Sequence, residues 1–95
     1  MSNLEEKVVF KNKNEGLNNI SGERIAELRK NSKVKMSQRA LADKMQLAGL
    51  DMDKNAIQRI ECGKRFITDI ELAAFAEIFN VSSDYLLGLN KINEE

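Results

Sequence analysis

Four polar residues with long or amide side chains, Lys54, Asn55, Gln58 and Arg59, fall within the short stretch KNAIQRIECGKR at residues 54–65. Ile57 and Ile60 repeat there at a spacing that keeps one helical face apolar, which sends the four polar residues to the other faces. Their chemistry is hydrogen bonding: lysine and arginine donate, and the amides both donate and accept. Such a set suits base-pair edges in a major groove, with Lys or Arg on guanine and Asn or Gln making a two-bond contact with adenine. A solvated helix face would carry the same residue types, so spacing alone leaves both readings open.

Other chemistries find little to work with. The chain has no histidine and one cysteine, Cys62, which removes a disulfide, the usual zinc ligand sets and Cys-His or Ser-His-Asp catalysis. No glycine-rich loop of the phosphate-cradling type occurs, so no enzyme, cofactor or metal is expected. The run DMDKNA, from Asp51 to Ala56, looks like the start of a calcium loop, but its sixth position is Ala56 and its twelfth is Cys62. The sharp turn and the closing bidentate carboxylate are therefore both missing.

The elements that must position these residues are helical. At 95 residues, with no proline and 5% aromatic residues, the composition favours one domain of small aliphatic-packed helices, an all-α fold. Helix one is expected from Ser21, carried by Ile25 and Leu28. Helix two is expected after an N-cap at Ser37, with Leu41, Met45 and Ala48 inward and Gly49 ending it. Asp53 caps the third helix and Gly63 stops it. Thr68 and Glu71 form a capping box ahead of a fourth, whose apolar face is read as Ile70, Ala73, Ala74, Glu77 and Ile78. Ser82 or Ser83 caps a fifth turn. Residues 1–20 show no helical period and read as a flexible N-terminal arm, with the folded domain over 21–89 and a C-terminal tail at 90–95.

Charge is balanced overall, at fifteen Lys or Arg against fifteen Asp or Glu, but unevenly spread. Residues 22–65 hold eleven cations and six anions, and residues 66–95 one cation and six anions. A basic middle can point a positive face at a polyanion despite zero net charge.

The segments SQRALADKM, NAIQRIECGKR and TDIELAAFAEIFNVSSDYLLG, taken in order, resemble the successive helices of Cro/repressor-type helix-turn-helix domains, the xenobiotic-response-element family, over about residues 21–89. The resemblance implies a compact five-helix fold that binds double-stranded DNA. It implies base reading by Lys54, Asn55, Gln58 and Arg59, and phosphate contacts by Gln38, Arg39, Lys64 and Arg65. It makes Glu61 structural, accepting hydrogen bonds or pairing with a cation near the helix junction, and Gly63 the turn. Between Ser37 and Glu61 the chain is about five residues longer than the compact family form. That extra length is expected partly in a longer second helix and partly in the turn, with Leu47, Leu50 and Met52 still packing inward.

These readings combine into a non-enzymatic, sequence-specific transcriptional regulator, repressor-like, working as a homodimer on two half-sites roughly 34–36 Å apart. Tyr85, Leu86, Leu87, Leu89 and Ile92 either close the core or leave a subset exposed as the dimer patch. The alternative is a protein-interaction module on the same scaffold, such as an antitoxin or a regulator partner. No stretch reaches the roughly 20 apolar residues of a membrane span, and MSNLEEK lacks a signal peptide's apolar core, so a cytoplasmic location is expected.

Overall fold

A computed structural model describes residues 16–89; residues 1–15 and 90–95 lie outside the described residues, and with them most of the expected arm, the whole tail and Ile92. The elements are five helices: α1 Gly22–Lys30, α2 Gln38–Leu47, α3 Lys54–Glu61, α4 Asp69–Phe79 and α5 Ser83–Leu86. No strand occurs among the described residues, in keeping with the all-α composition.

Local chemistry sets most helix ends. The Ser37 and Asp53 side chains accept from the amides of Ala40 and Ala56 at 3.0 and 2.8 Å, satisfying donors that the first turn of a helix leaves unpaired. Thr68 and Glu71 form the full reciprocal capping box. Ile67 and Leu72 flank it at the positions of a hydrophobic staple, and both pack on the core. Asn80 ends α4 in the left-handed region at φ 56°, and Ser82 accepts from the amide of Tyr85 to start α5. The start of α1 differs. Ser21 is buried and makes no capping bond of its own. Its hydroxyl donates instead to the Leu86 carbonyl, while Asn19 Oδ1 accepts from the Gly22 amide at 2.7 Å and serves as the cap.

One core joins all five helices. Ile25 from α1, Leu41 and Met45 from α2, Ile57 and Ile60 from α3, Phe75 from α4 and Leu86 from α5 are wholly buried, with Met52 from the α2–α3 connection beside them. Each such aliphatic or aromatic side chain contributes about 1.5–3 kcal/mol of burial free energy.

Several expectations need correction. Leu47 and Ala48 do not pack inward; Leu47 is 88% exposed and Ala48 is exposed too, because α2 ends there and the chain swings outward through Ala48 and Gly49. The link back is made by Leu50 and Met52, as expected, with the Leu50 amide donating to the Met45 carbonyl and Gln46 Nε2 to the Met52 carbonyl. On α4 the inward face is Leu72, Phe75, Ala76 and Phe79, with Ala74 and Ile78 half-buried at its edge. Ile70 is 66% exposed, and Ala73 and Glu77 are also outside, because the two phenylalanines bring a different side of the helix against the core. Leu17 to Ile20, expected in the arm, are tied to the body: the Asn18 amide donates to the Gly63 carbonyl and Asn19 Nδ2 to the carbonyls of Ile60 and Arg65.

The helix junction at Gly22 tolerates no side chain, since a methyl group there would overlap the Ile60 carbonyl oxygen. Gly49 meets nothing, although its φ of +92° disfavours other residues. In thermal unfolding, Gly22→Ala is expected to cost about 3 kcal/mol and lower the midpoint by about 15 °C, against about 1 kcal/mol for Gly49→Ala.

Candidate nucleic-acid interface

The third helix is short, and its two buried isoleucines fix its rotation. With Ile57 and Ile60 in the core, Lys54, Asn55, Gln58 and Arg59 all stand exposed. None takes part in an ion pair among the described residues. Asp53 holds the helix start through Oδ1, so this carboxylate from the DMDKNA run acts as a cap. No group of three His, Cys, Asp or Glu among the described residues is placed to hold a metal.

Two open clefts border the exposed face. One, of about 300 Å³, lies between α2 and α3 and is lined by Arg39, Asp43, Gln46, Lys54 and Asn55, among others. The other, of about 600 Å³, opens at the start of α2 between Arg29, Ser37, Gln38, Arg39 and Lys54. Exposed cations and a helix N-terminus share that second cleft, an arrangement favourable to an anion.

Behind the face lies a polar lock. Arg29 donates from Nε to Glu61 Oε2 at 2.7 Å and from Nη2 to Oε1 at 3.0 Å, and its Nη1 donates to the Met36 carbonyl at 3.1 Å. Gln38 Nε2 adds a third bond to Glu61, at Oε1 and 2.9 Å. The side chains of Arg29 and Glu61 are only 12% and 8% exposed, so this pair is nearly dry. Hydrogen bonding to Glu61 raises the Arg29 pKa above its ordinary value against the opposing effect of burial. The end of α1, the start of α2 and the end of α3 meet at this one carboxylate.

A family model for helix-turn-helix domains, of the Cro/C1 type, matches residues 25–86. The chain belongs to the helix-turn-helix family. It is thus a DNA-binding regulator in general kind, and α2 and α3 are its helix-turn-helix pair. No curated protein and no solved structure matches the chain. No helix among the described residues is long and apolar enough to cross a membrane.

Within the helix-turn-helix frame, six of the eight side chains expected to touch DNA, Arg39, Lys54, Asn55, Gln58, Arg59 and Lys64, are exposed. The other two are already engaged. Gln38 donates to Glu61, and Arg65 binds the Glu71 carboxylate through two bonds, Nη1 to Oε1 at 2.9 Å and Nη2 to Oε2 at 3.1 Å. The sequence offers no sign of the second pairing, because Glu71 already has a local role in the capping box. The bond from Arg65 holds the Glu71 carboxyl below its ordinary pKa, against burial and with help from Thr68. Glu61 sits at the helix junction with the bonds from Arg29 and Gln38 already given. Gly63 turns at φ +82° and has Leu17 packed where a side chain would begin. Cys62 is free and exposed at the end of α3. Lys33 and Lys35 also stand exposed on the approach to α2; in the sequence they contribute to the basic middle, and only their closeness to the Ser37 cap marks them as neighbours of the interface.

Glu61→Ala leaves a nearly buried guanidinium and an amide without their acceptor and is expected to cost about 3 kcal/mol in urea unfolding. The double variant with Arg29→Ala should lose less than the two single losses combined. Glu71 behaves differently with pH. Its folded pKa lies below the ordinary 4.5, so its contribution is fully present above that value and disappears as pH falls through the folded one. Melting curves from pH 7 to pH 3 should show the stability advantage over Glu71→Gln shrinking across that acid range.

Proposed function

We propose that the chain is a sequence-specific transcriptional regulator that binds operator DNA as a homodimer, one subunit to each half-site. Lys54, Asn55, Gln58 and Arg59 read base edges from α3 in the major groove. Lys54 and Arg59 donate to guanine and Asn55 makes a two-bond contact with adenine. Arg39, Lys64 and the N-terminus of α2 hold phosphates, which fixes register without reading sequence. Gln38 joins them with its second amide hydrogen, its orientation set by Glu61. Arg65 joins with Nε and the Nη2 hydrogen that Glu71 leaves free.

The observation that carries this reading is the rotation of α3. Its buried isoleucines turn outward four donor and acceptor side chains that take no ion-pair partner among the described residues, beside a cleft where cations and a helix N-terminus converge. A second copy is supported by apolar side chains left exposed: Leu89 is 60% exposed, and Phe66 and Ile70 are exposed to a similar degree, whereas Leu86 belongs to the core and cannot contribute. Occupying an operator acts sterically, by blocking or recruiting polymerase.

Selection from random duplexes at two salt concentrations tests the reading. A palindromic motif with affinity falling steeply as salt rises is the expected result. In that motif, Arg59→Ala should relax one base position per half-site at a cost of about 1–3 kcal/mol. Lys64→Ala should weaken all sequences alike and reduce the salt slope by about 0.9 for each phosphate it no longer neutralises. Absence of any enriched motif would remove operator recognition and favour a protein partner on the same scaffold.

A further inference from the structure

The loop that carries Lys64 is built from outside itself. Four carbonyls along the end of α3 and the following turn accept from two asparagines more than forty residues earlier. The Asn18 amide donates to Gly63 at 2.7 Å and its Nδ2 to Lys64 at 3.1 Å, while Asn19 Nδ2 donates to Ile60 at 3.0 Å and to Arg65 at 2.8 Å. Asn19 Oδ1 also accepts from the first amide of α1, so one side chain joins α1, the last turn of α3 and the loop. Leu17 closes over Gly63 from the same segment. The local bonds of the turn, from the amides of Lys64 and Arg65 to the Arg59 carbonyl, fix only its inner side.

We propose that Asn18 and Asn19 are positioning residues for DNA binding: they hold the Gly63–Arg65 backbone so that Lys64 meets a phosphate without first having to order the loop. The inference rests on the DNA-reading function above and extends it to a segment outside the helix-turn-helix pair. A lysine is a flexible point charge whose reach is set by where its Cα stands. A loop ordered before binding avoids the conformational entropy that a mobile one would lose on contact.

The test is a double-variant cycle on the full chain, read with a fluorescent random-sequence duplex of about 30 base pairs across a salt series, since a phosphate contact is independent of sequence. Asn19→Ala and Lys64→Ala, each shown by cooperative melting to be folded, should both lose about three- to tenfold in affinity at low salt and both lower the salt slope by about 0.9. Combined, they should lose little more than either alone. Asn18→Ala, which removes only the exposed bond to the Lys64 carbonyl, should show the same coupling to a smaller extent and reads the outcome if Asn19→Ala does not fold. Losses that multiply, or an Asn19→Ala protein that keeps the wild-type slope, would overturn the proposal. So would an unchanged slope in Lys64→Ala while the wild type binds, which leaves the DNA-reading function standing. A wild type that retains no duplex at any salt overturns that function as well.

Discussion

The geometry of this domain depends on one carboxylate. Glu61 accepts three hydrogen bonds, two from Arg29 and one from Gln38, and thereby fixes the end of α1, the start of α2 and the end of α3 relative to one another. Apolar packing of Ile25, Leu41, Met45, Ile57 and Ile60 sets which face of each helix turns inward, and directional bonds add a constraint on how the helix ends meet. A nearly dry ion pair with fixed bidentate geometry is such a constraint. Its net contribution to stability is small once desolvation is set against attraction; its contribution to orientation is large. The Glu61 lock therefore aims α3, and Ile57 and Ile60 set its rotation, so the directions of Lys54, Asn55, Gln58 and Arg59 follow from residues behind the exposed face.

The connection between α2 and α3 runs outward without loosening that arrangement. Leu47, Gly49 and Asp51 are displaced to the surface, and the chain is then returned by a buried Met52 and by the bond from Gln46 Nε2 to the Met52 carbonyl. Asp53 follows at once as the N-cap of α3. A longer connection costs little entropy when its ends are pinned, and here both ends are pinned within the helix pair. One side of the cleft lined by Arg39, Asp43, Lys54 and Asn55 is formed by α2 itself.

Much of this is legible in the sequence, for a physical reason. Caps at Ser37, Asp53, Thr68 and Ser82, the Thr68–Glu71 box and the left-handed stop at Asn80 act over three or four residues, so spacing encodes them directly. The exposed face of α3 is legible too, since two isoleucines three apart leave only one way to turn an eight-residue helix. What escapes are long-range choices. Glu71 serves its own cap and also Arg65; Asn18 and Asn19 look like turn formers and in fact bond to a loop far along the chain; Ile70 reads as core but lies outside because Phe75 and Phe79 define a different stripe. Nothing local distinguishes an asparagine that caps α1 and bridges to Ile60 and Arg65 from one in a solvated arm.

The same pairings bear on how a chain with zero net charge manages a polyanion. Arg29 and Arg65, nominally part of the basic middle, are joined to Glu61 and Glu71, which makes them nearly neutral as seen from a distance. The cations left exposed along the interface are fewer than the sequence count, and Asp43 and Asp53 line the same cleft. Attraction that is independent of sequence scales with the number of phosphates neutralised, so a face diluted in this way offers random DNA fewer charges than the sequence count suggests. On the proposed reading, discrimination then rests more heavily on base contacts from α3, whose worth depends on tight hydrogen-bond geometry. Low net charge and a firmly locked α3 are complementary under that proposal: weakening the non-specific attraction raises the specificity ratio only where a helix proposed to read bases cannot shift to fit the wrong ones.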